Sequence, residues 1–153
     1  MESEMASSVK RQGGVMLIEA LIGILIFSIG ILALIGMQGA AIKNTTDARY
    51  RSEATFLATQ IIGNMWVDIA NLSKYDKDFG AAYAPRDNWV TNVAAALPGI
   101  DIAGNTRVPT IEVGPDVGLG LADNEVRVLI QWLQPGESDV RRVQLLNRIN
   151  GAT

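Results

Sequence analysis

The sequence predicts an α+β fold: one long amino-terminal helix, its first half membrane-spanning, its second half packed against a small carboxy-terminal antiparallel β-sheet. Three observations predict it. An apolar run from Val15 to Ile42 carries Glu19 as its only charge. The polar segment that follows, Lys43 to Tyr75, contains no proline and repeats apolar residues at three- and four-residue intervals. The last third of the chain alternates apolar and polar residues in two runs joined by a turn-like linker. The expected boundaries are therefore a polar lead at 1–14, a hydrophobic helix at 15–42, its amphipathic continuation at 43–75 and a globular head at 76–153.

The lead, MESEMASSVKRQGG, closes on Lys10-Arg11-Gln12-Gly13-Gly14. Beyond it, the stretch from Ala20 to Ile42 is uncharged. As a helix rising about 1.5 Å per residue, it is long enough to cross a hydrocarbon layer of about 30 Å. Val15, Leu17, Ala20, Leu25, Phe27, Ile31, Leu34 and Met37 are expected among the residues of this membrane helix. Lys10 and Arg11 precede the run and charges of mixed sign follow it, so the positive-inside rule places the amino terminus in the cytoplasm. A secretory signal would have a shorter apolar region ahead of a site such as Gly39-Ala40-Ala41. A plain anchor fits the length but leaves Glu19 and the paired glycines without a role. A carboxylate costs about 2.5 kcal/mol or more at the centre of a membrane helix, less near an end, so it usually has a partner. Gly23, Gly30, Gly36 and Gly39 each weaken the helix by about 1 kcal/mol relative to alanine in water. In a membrane, small residues also let helices approach closely.

In the continuation, Ala54, Leu57, Ala58, Ile61, Ile62, Met65, Trp66, Ile69 and Leu72 form one stripe. Glu53, Thr55, Gln60, Asn64 and Asp68 fall mostly on the other face. Asp47 with Arg51, and Arg49 with Glu53, are spaced for weak helical ion pairs. The spacing predicts one helix from about Val15 to about Tyr75. Asp76 to Arg86 reads as a loop, and Asp87 as the N-cap of a short helix ended by Pro98-Gly99. Strands are expected at Thr110–Val113, Asn124–Gln134 and Val140–Ile149. Val126, Val128, Ile130 and Trp132 share one face, and Pro135 to Asp139 connects the hairpin.

Composition excludes more chemistry than it suggests. The chain has no cysteine and no histidine, which removes thiol and imidazole catalysis and the usual zinc or haem donors. No cofactor is expected. A net charge of −3 and basic groups without interleaved aromatics argue against nucleic acid as a direct partner. Gly114, Gly118 and Gly120 lack the spacing of a dinucleotide fingerprint, and Asp116, Asp123 and Glu125 match no EF-hand loop. Asn44-Thr45-Thr46 and Asn71-Leu72-Ser73 match the glycosylation triplet but fall in expected helix. No nucleophile, base and orienting group can be assembled by type and spacing, so an enzyme is not expected.

The stretch GGVMLIEALIGILIFSIGILALIGMQ resembles the leader and first helix of type IV prepilins. The short tryptophan-bearing helix closing on Leu-Pro-Gly, and the strand VRVLIQW, resemble the PilV-like minor pilins. The resemblance implies a type IV pilin-like fold and a leader peptide at 1–14. It implies cleavage between Gly14 and Val15 by prepilin peptidase, N-methylation of Val15, and a register role for Glu19 against the amine of a neighbouring subunit. Valine departs from the phenylalanine or methionine more usual at the mature start. Major pilins commonly carry a carboxy-terminal disulfide loop, so zero cysteines favours a minor subunit. The implied partners are other minor and major pilins, the peptidase and the inner-membrane assembly platform. The implied location is the bacterial inner membrane, with the head periplasmic, and then the filament. A type II secretion pseudopilin shares the leader and helix. An uncleaved single-span envelope sensor or binding protein shares the span, and both alternatives stay open.

Overall fold

The computed structural model describes residues 9–116 and 118–150, with side chains from Gly14 onward. Of the leader expected at 1–14, residues 1–8 and the side chains of 9–13 lie outside the described residues. The elements are helix α1 (Val9–Val67), a 3-10 helix (Ile69–Tyr75), helix α2 (Ala84–Ala96) and strands β1 (Thr110–Val113), β2 (Glu125–Trp132) and β3 (Arg141–Arg148). The chain divides into two units, Met1–Thr46 and Asp47–Thr153. A long apolar helix and a small antiparallel sheet are thus both present, as an α+β reading requires.

In the second unit, β1, β2 and β3 form one antiparallel sheet in that order. The central strand shows why. Val126, Val128, Ile130 and Trp132 are 0% exposed, while the alternate residues are half-buried, the pattern of a strand with one face on a core. That face meets the stripe Ala54, Leu57, Ala58, Ile61, Ile62 and Met65 of α1, with Leu72, Tyr75, Trp89, Val93 and Leu97 completing the core. The Trp89 indole donates to the Leu57 carbonyl at 2.9 Å, tying α2 to α1. Gly99 holds φ +75, and a Cβ there would come within 2.8 Å of the Leu133 carbonyl oxygen. Only glycine lets this turn lie so close to the end of β2. At the same end, Asp47 accepts from the Gln134 amide at 2.7 Å and pairs with Arg141 at 3.3 Å.

Several expectations need correction. Helix α1 stops at Val67 instead of running to Tyr75, and a 3-10 segment with a non-helical Asn71 follows. The reason is Asp68, whose carboxylate accepts from the Tyr83 hydroxyl, from Asn71 Nδ2 at 2.7 Å and from the Tyr75 hydroxyl at 3.3 Å. Held by these side chains, Asp68 sits at φ −110 and ψ 40, outside the helical region. Helix α1 also begins earlier than Val15, at Val9, since nothing in VKRQGG blocks helical φ and ψ. Trp66 is 46% exposed and so lies off the buried stripe. Finally, Asp87 is not an N-cap. Helix α2 opens four residues earlier, with Tyr83 at the N-cap position, so Ala84–Arg86 are helical rather than loop, with Pro85 pre-set for the first turn. Asp87 instead reaches back to accept the Tyr83 N–H at 2.8 Å. Asp47 also turns to Arg141 and Gln134 rather than pairing with Arg51, and no Arg49–Glu53 pair forms among the described residues.

The Asp68 network makes a testable link to pH. Hydrogen bonds from Tyr83 foremost, then Asn71, hold its carboxyl below the ordinary carboxylate range. A depressed folded value means the stabilisation is fully present above the unfolded value of about 3.9. It is then lost as pH falls through the lower folded one. Asp68→Asn is expected to lower the thermal midpoint at neutral pH, and the gap to the parent protein is expected to close in acid. Glu125, held low by the Ala122 N–H, adds acid sensitivity that both proteins share. Melts of both proteins across this range check the claim, and a gap that stays constant with pH would remove Asp68 from it.

Candidate functional site

The residues singled out for function cluster in one place. Gly14, Val15 and Glu19 lie on helical backbone in α1, and all three are exposed. Val15 and Glu19 are four residues apart, so they share a face one turn apart, and the Glu19 side chain leans toward the amino-terminal turn. Gly13 and Gly14 sit just before them, and two glycines make this the weakest turn of the run by about 1 kcal/mol each.

From Val15 to Ile42 every large apolar side chain is exposed, the least so being Ile31 at 42%. Leu17, Leu25, Phe27, Leu34 and Met37 are exposed, and Ala20 with them. Soluble monomers rarely expose contiguous apolar patches beyond about 600 Å². This helix is long and apolar enough to cross a membrane. Its polar side chains suit that setting. The Ser28 hydroxyl donates to the Ile24 carbonyl at 2.7 Å, so its donor is satisfied within the helix. Beside Gly23, Gly30, Gly36 and Gly39 an added Cβ would meet nothing within 4 Å. Those faces are open to the close approach of another helix.

A second concavity lies in the head. It is a groove of about 360 Å³ lined by Val90, Ile102, Val108, Pro109 and Ile111, with Lys77, Arg86, Asp87 and Thr91 among its polar residues. Those polar groups are already engaged. Lys77 pairs with Asp78 at 3.0 Å and Glu112 at 3.5 Å, and Arg86 with Asp87 at 2.9 Å. The Thr91 hydroxyl donates to the Asp87 carbonyl at 3.0 Å, the ordinary back-bond of a helical threonine, so no base activates it. Among the described residues no group of three or more carboxylates gathers to hold a metal ion. The groove is lined by apolar side chains and by charged groups already paired with one another.

Sequence reasoning missed two elements of the head. The Asp68–Tyr75–Tyr83 network joins residues remote in sequence, with only the tyrosines themselves as a signal. The tie from Asp47 to Gln134 and Arg141 left no local trace at all. Compared with protein-family models, with curated proteins and with solved structures, the chain returns no match.

Proposed function

We propose that this chain is a PilV-like minor pilin, a structural subunit of a type IV pilus rather than an enzyme. In this reading prepilin peptidase cuts between Gly14 and Val15, and the new amine of Val15 is methylated. The observation that carries it is the exposed apolar helix with a single acid, one turn beyond the paired glycines. Before assembly the protein sits in the bacterial inner membrane, amino terminus in the cytoplasm and head in the periplasm. The helix then passes from the bilayer into a filament core of other minor and major pilins. Both surroundings are apolar, so the transfer need not expose the helix to water. The assembly platform of the inner membrane would perform that extraction.

Cutting at Gly14 creates a positive amine at a helix start that already carries the positive end of the helix dipole. Glu19 of an incoming subunit supplies the opposite charge. Such a pair specifies register more than it adds net stability. The mass of the protein purified from membranes tests the reading. The expected result is a chain beginning at Val15 with one added methyl group, and a precursor beginning at Met1 in cells lacking the peptidase. An intact Met1 start in normal cells would instead identify an uncleaved anchor. A pseudopilin of type II secretion would show the same mass, and deletion separates it, since loss would stop protein secretion while leaving pili in place.

A further inference from the structure

The two edges of the sheet are finished differently. On the β1 edge, Ile111 and Val113 turn their backbone groups outward, and one group of each is covered. The Ile111 carbonyl accepts from the Lys77 N–H at 2.8 Å, and the Val113 N–H donates to Asp76 Oδ2 at 2.7 Å. On the β3 edge nothing comparable occurs among the described residues. The pairing pattern identifies the free groups. The Ile149 N–H donates to the Asn124 carbonyl at 2.8 Å, which makes that pair a hydrogen-bonded one. Hydrogen-bonded and non-bonded pairs alternate along an antiparallel ladder. The register of β2 with β3 therefore leaves Arg142, Gln144, Leu146 and Arg148 with outward N–H and C=O groups. On the far side, Gly114 N–H to Glu125 carbonyl at 2.7 Å agrees, since it turns Glu125 toward β1 and away from β3.

An uncovered edge of this length, without proline or bulge, is a template for another strand. Two features say what kind. Val143 and Leu145, on the core side of β3, stay half-buried where their β2 neighbours are sealed, so an added strand would extend the apolar face. The strand RRVQLLNR also holds three arginines and no acid, in a chain whose net charge is −3. Arg141 is occupied by Asp47 and Glu137, and Arg148 by Glu125, but Arg142 is exposed and has no ion pair among the described residues. A second copy pairing through its own β3 would offer Arg142 no counter-charge in any register, since β3 contains no acid. We infer that the β3 edge receives an extended strand from a partner protein. That strand carries acidic residues opposite Arg142 and Arg148 on the solvent face and apolar ones toward Val143 and Leu145. This concerns Asp47–Thr153 alone and stands whether or not the amino terminus is processed.

Hydrogen exchange on the full chain in detergent micelles tests it. The probe is the capped peptide Glu-Thr-Val-Val-Thr-Val-Glu-Thr, with its twin bearing lysine for glutamate as control. The acidic peptide is expected to slow exchange at the amides of Arg142, Gln144, Leu146 and Arg148 at least tenfold, and the basic twin to leave them unchanged. Gln144→Pro removes an outward N–H without touching the ladder to β2, so protection by the peptide is expected to vanish while Val128 and Ile130 stay protected. Should that variant unfold, Arg142→Glu carries the test, with an expected weakening of the acidic peptide of at least tenfold. Equal protection by both peptides, or none from either, overturns the inference. So does protection that grows with protein concentration and no peptide, which would assign the edge to a second copy.

Discussion

Trp132→Ala is expected to cost the head about 3–5 kcal/mol, the range for emptying a buried aromatic site. Domains of this kind hold about 5–15 kcal/mol in total, so the variant stands near unfolding at growth temperature. Trp132 ends β2, is 0% exposed, and is the largest of the fully buried side chains. It packs in the cluster that includes Ile61 and Met65 of α1, so its loss opens a cavity between helix and sheet. The same residue makes a second, contrasting result. Its indole N–H is buried without a hydrogen-bond partner among the described residues. A buried donor left unpaired costs about 1–3 kcal/mol. Trp132→Phe gives up apolar contact but also removes that donor, so the two effects offset and a net change below about 1.5 kcal/mol is expected. Urea unfolding of the full chain in micelles, read by exchange at the β2 amides, separates the two variants. A loss for phenylalanine as large as that for alanine would mean that removing the indole N–H brings no offsetting gain and that the packing of the whole indole sets the energy of the site.

How far the sequence foretold this structure depends on the range of the forces. Residue alternation in β2 needs only one buried face, and Val126, Val128, Ile130 and Trp132 lie where their spacing puts them. The α1 stripe is equally local, and Ala54 through Met65 follow it. Trp66 departs although Ala58 and Ile62, on the same row of the helix, are buried, and it stands one residue before α1 ends at Val67. The end of α1 was hidden for another reason. Asp68 stands at the end of the helix bonded to tyrosines seven and fifteen positions ahead, and no periodicity in the sequence marks them as its partners. The start of α2 was locally signalled by Pro85, but Asp87 looked like the better cap until its carboxylate proved to reach back to Tyr83. In the candidate site the position of Glu19 was plain from the sequence because one charge in an apolar run needs no tertiary information. The open β3 edge could not be read so, because which backbone groups face outward depends on register with β2.

Under the proposed pilin function, Glu19→Ala is expected to abolish incorporation into filaments while improving residence in the membrane, and the opposed signs make the prediction discriminating. Removing a carboxylate from a membrane helix lowers its insertion cost by up to about 2.5–3.5 kcal/mol at the centre, and by less toward an end. Insertion and cutting at Gly14 should therefore proceed. In the proposed filament the same change leaves the Val15 amine of a neighbour without its counter-charge in an apolar core. Breaking one side of a buried pair costs about 3–5 kcal/mol. At about 1.4 kcal/mol per tenfold, that corresponds to a loss of more than a hundredfold in the assembly equilibrium. Glu19→Asp should recover part of it, since the charge remains on a shorter arm. The amount of the protein in sheared filaments, against the amount of processed chain in the membrane, reads both effects together. Normal filament content from the alanine variant would detach Glu19 from assembly. The exposed apolar helix would then be only an anchor, for which one acid near its start needs nothing more than contact with water at the bilayer surface.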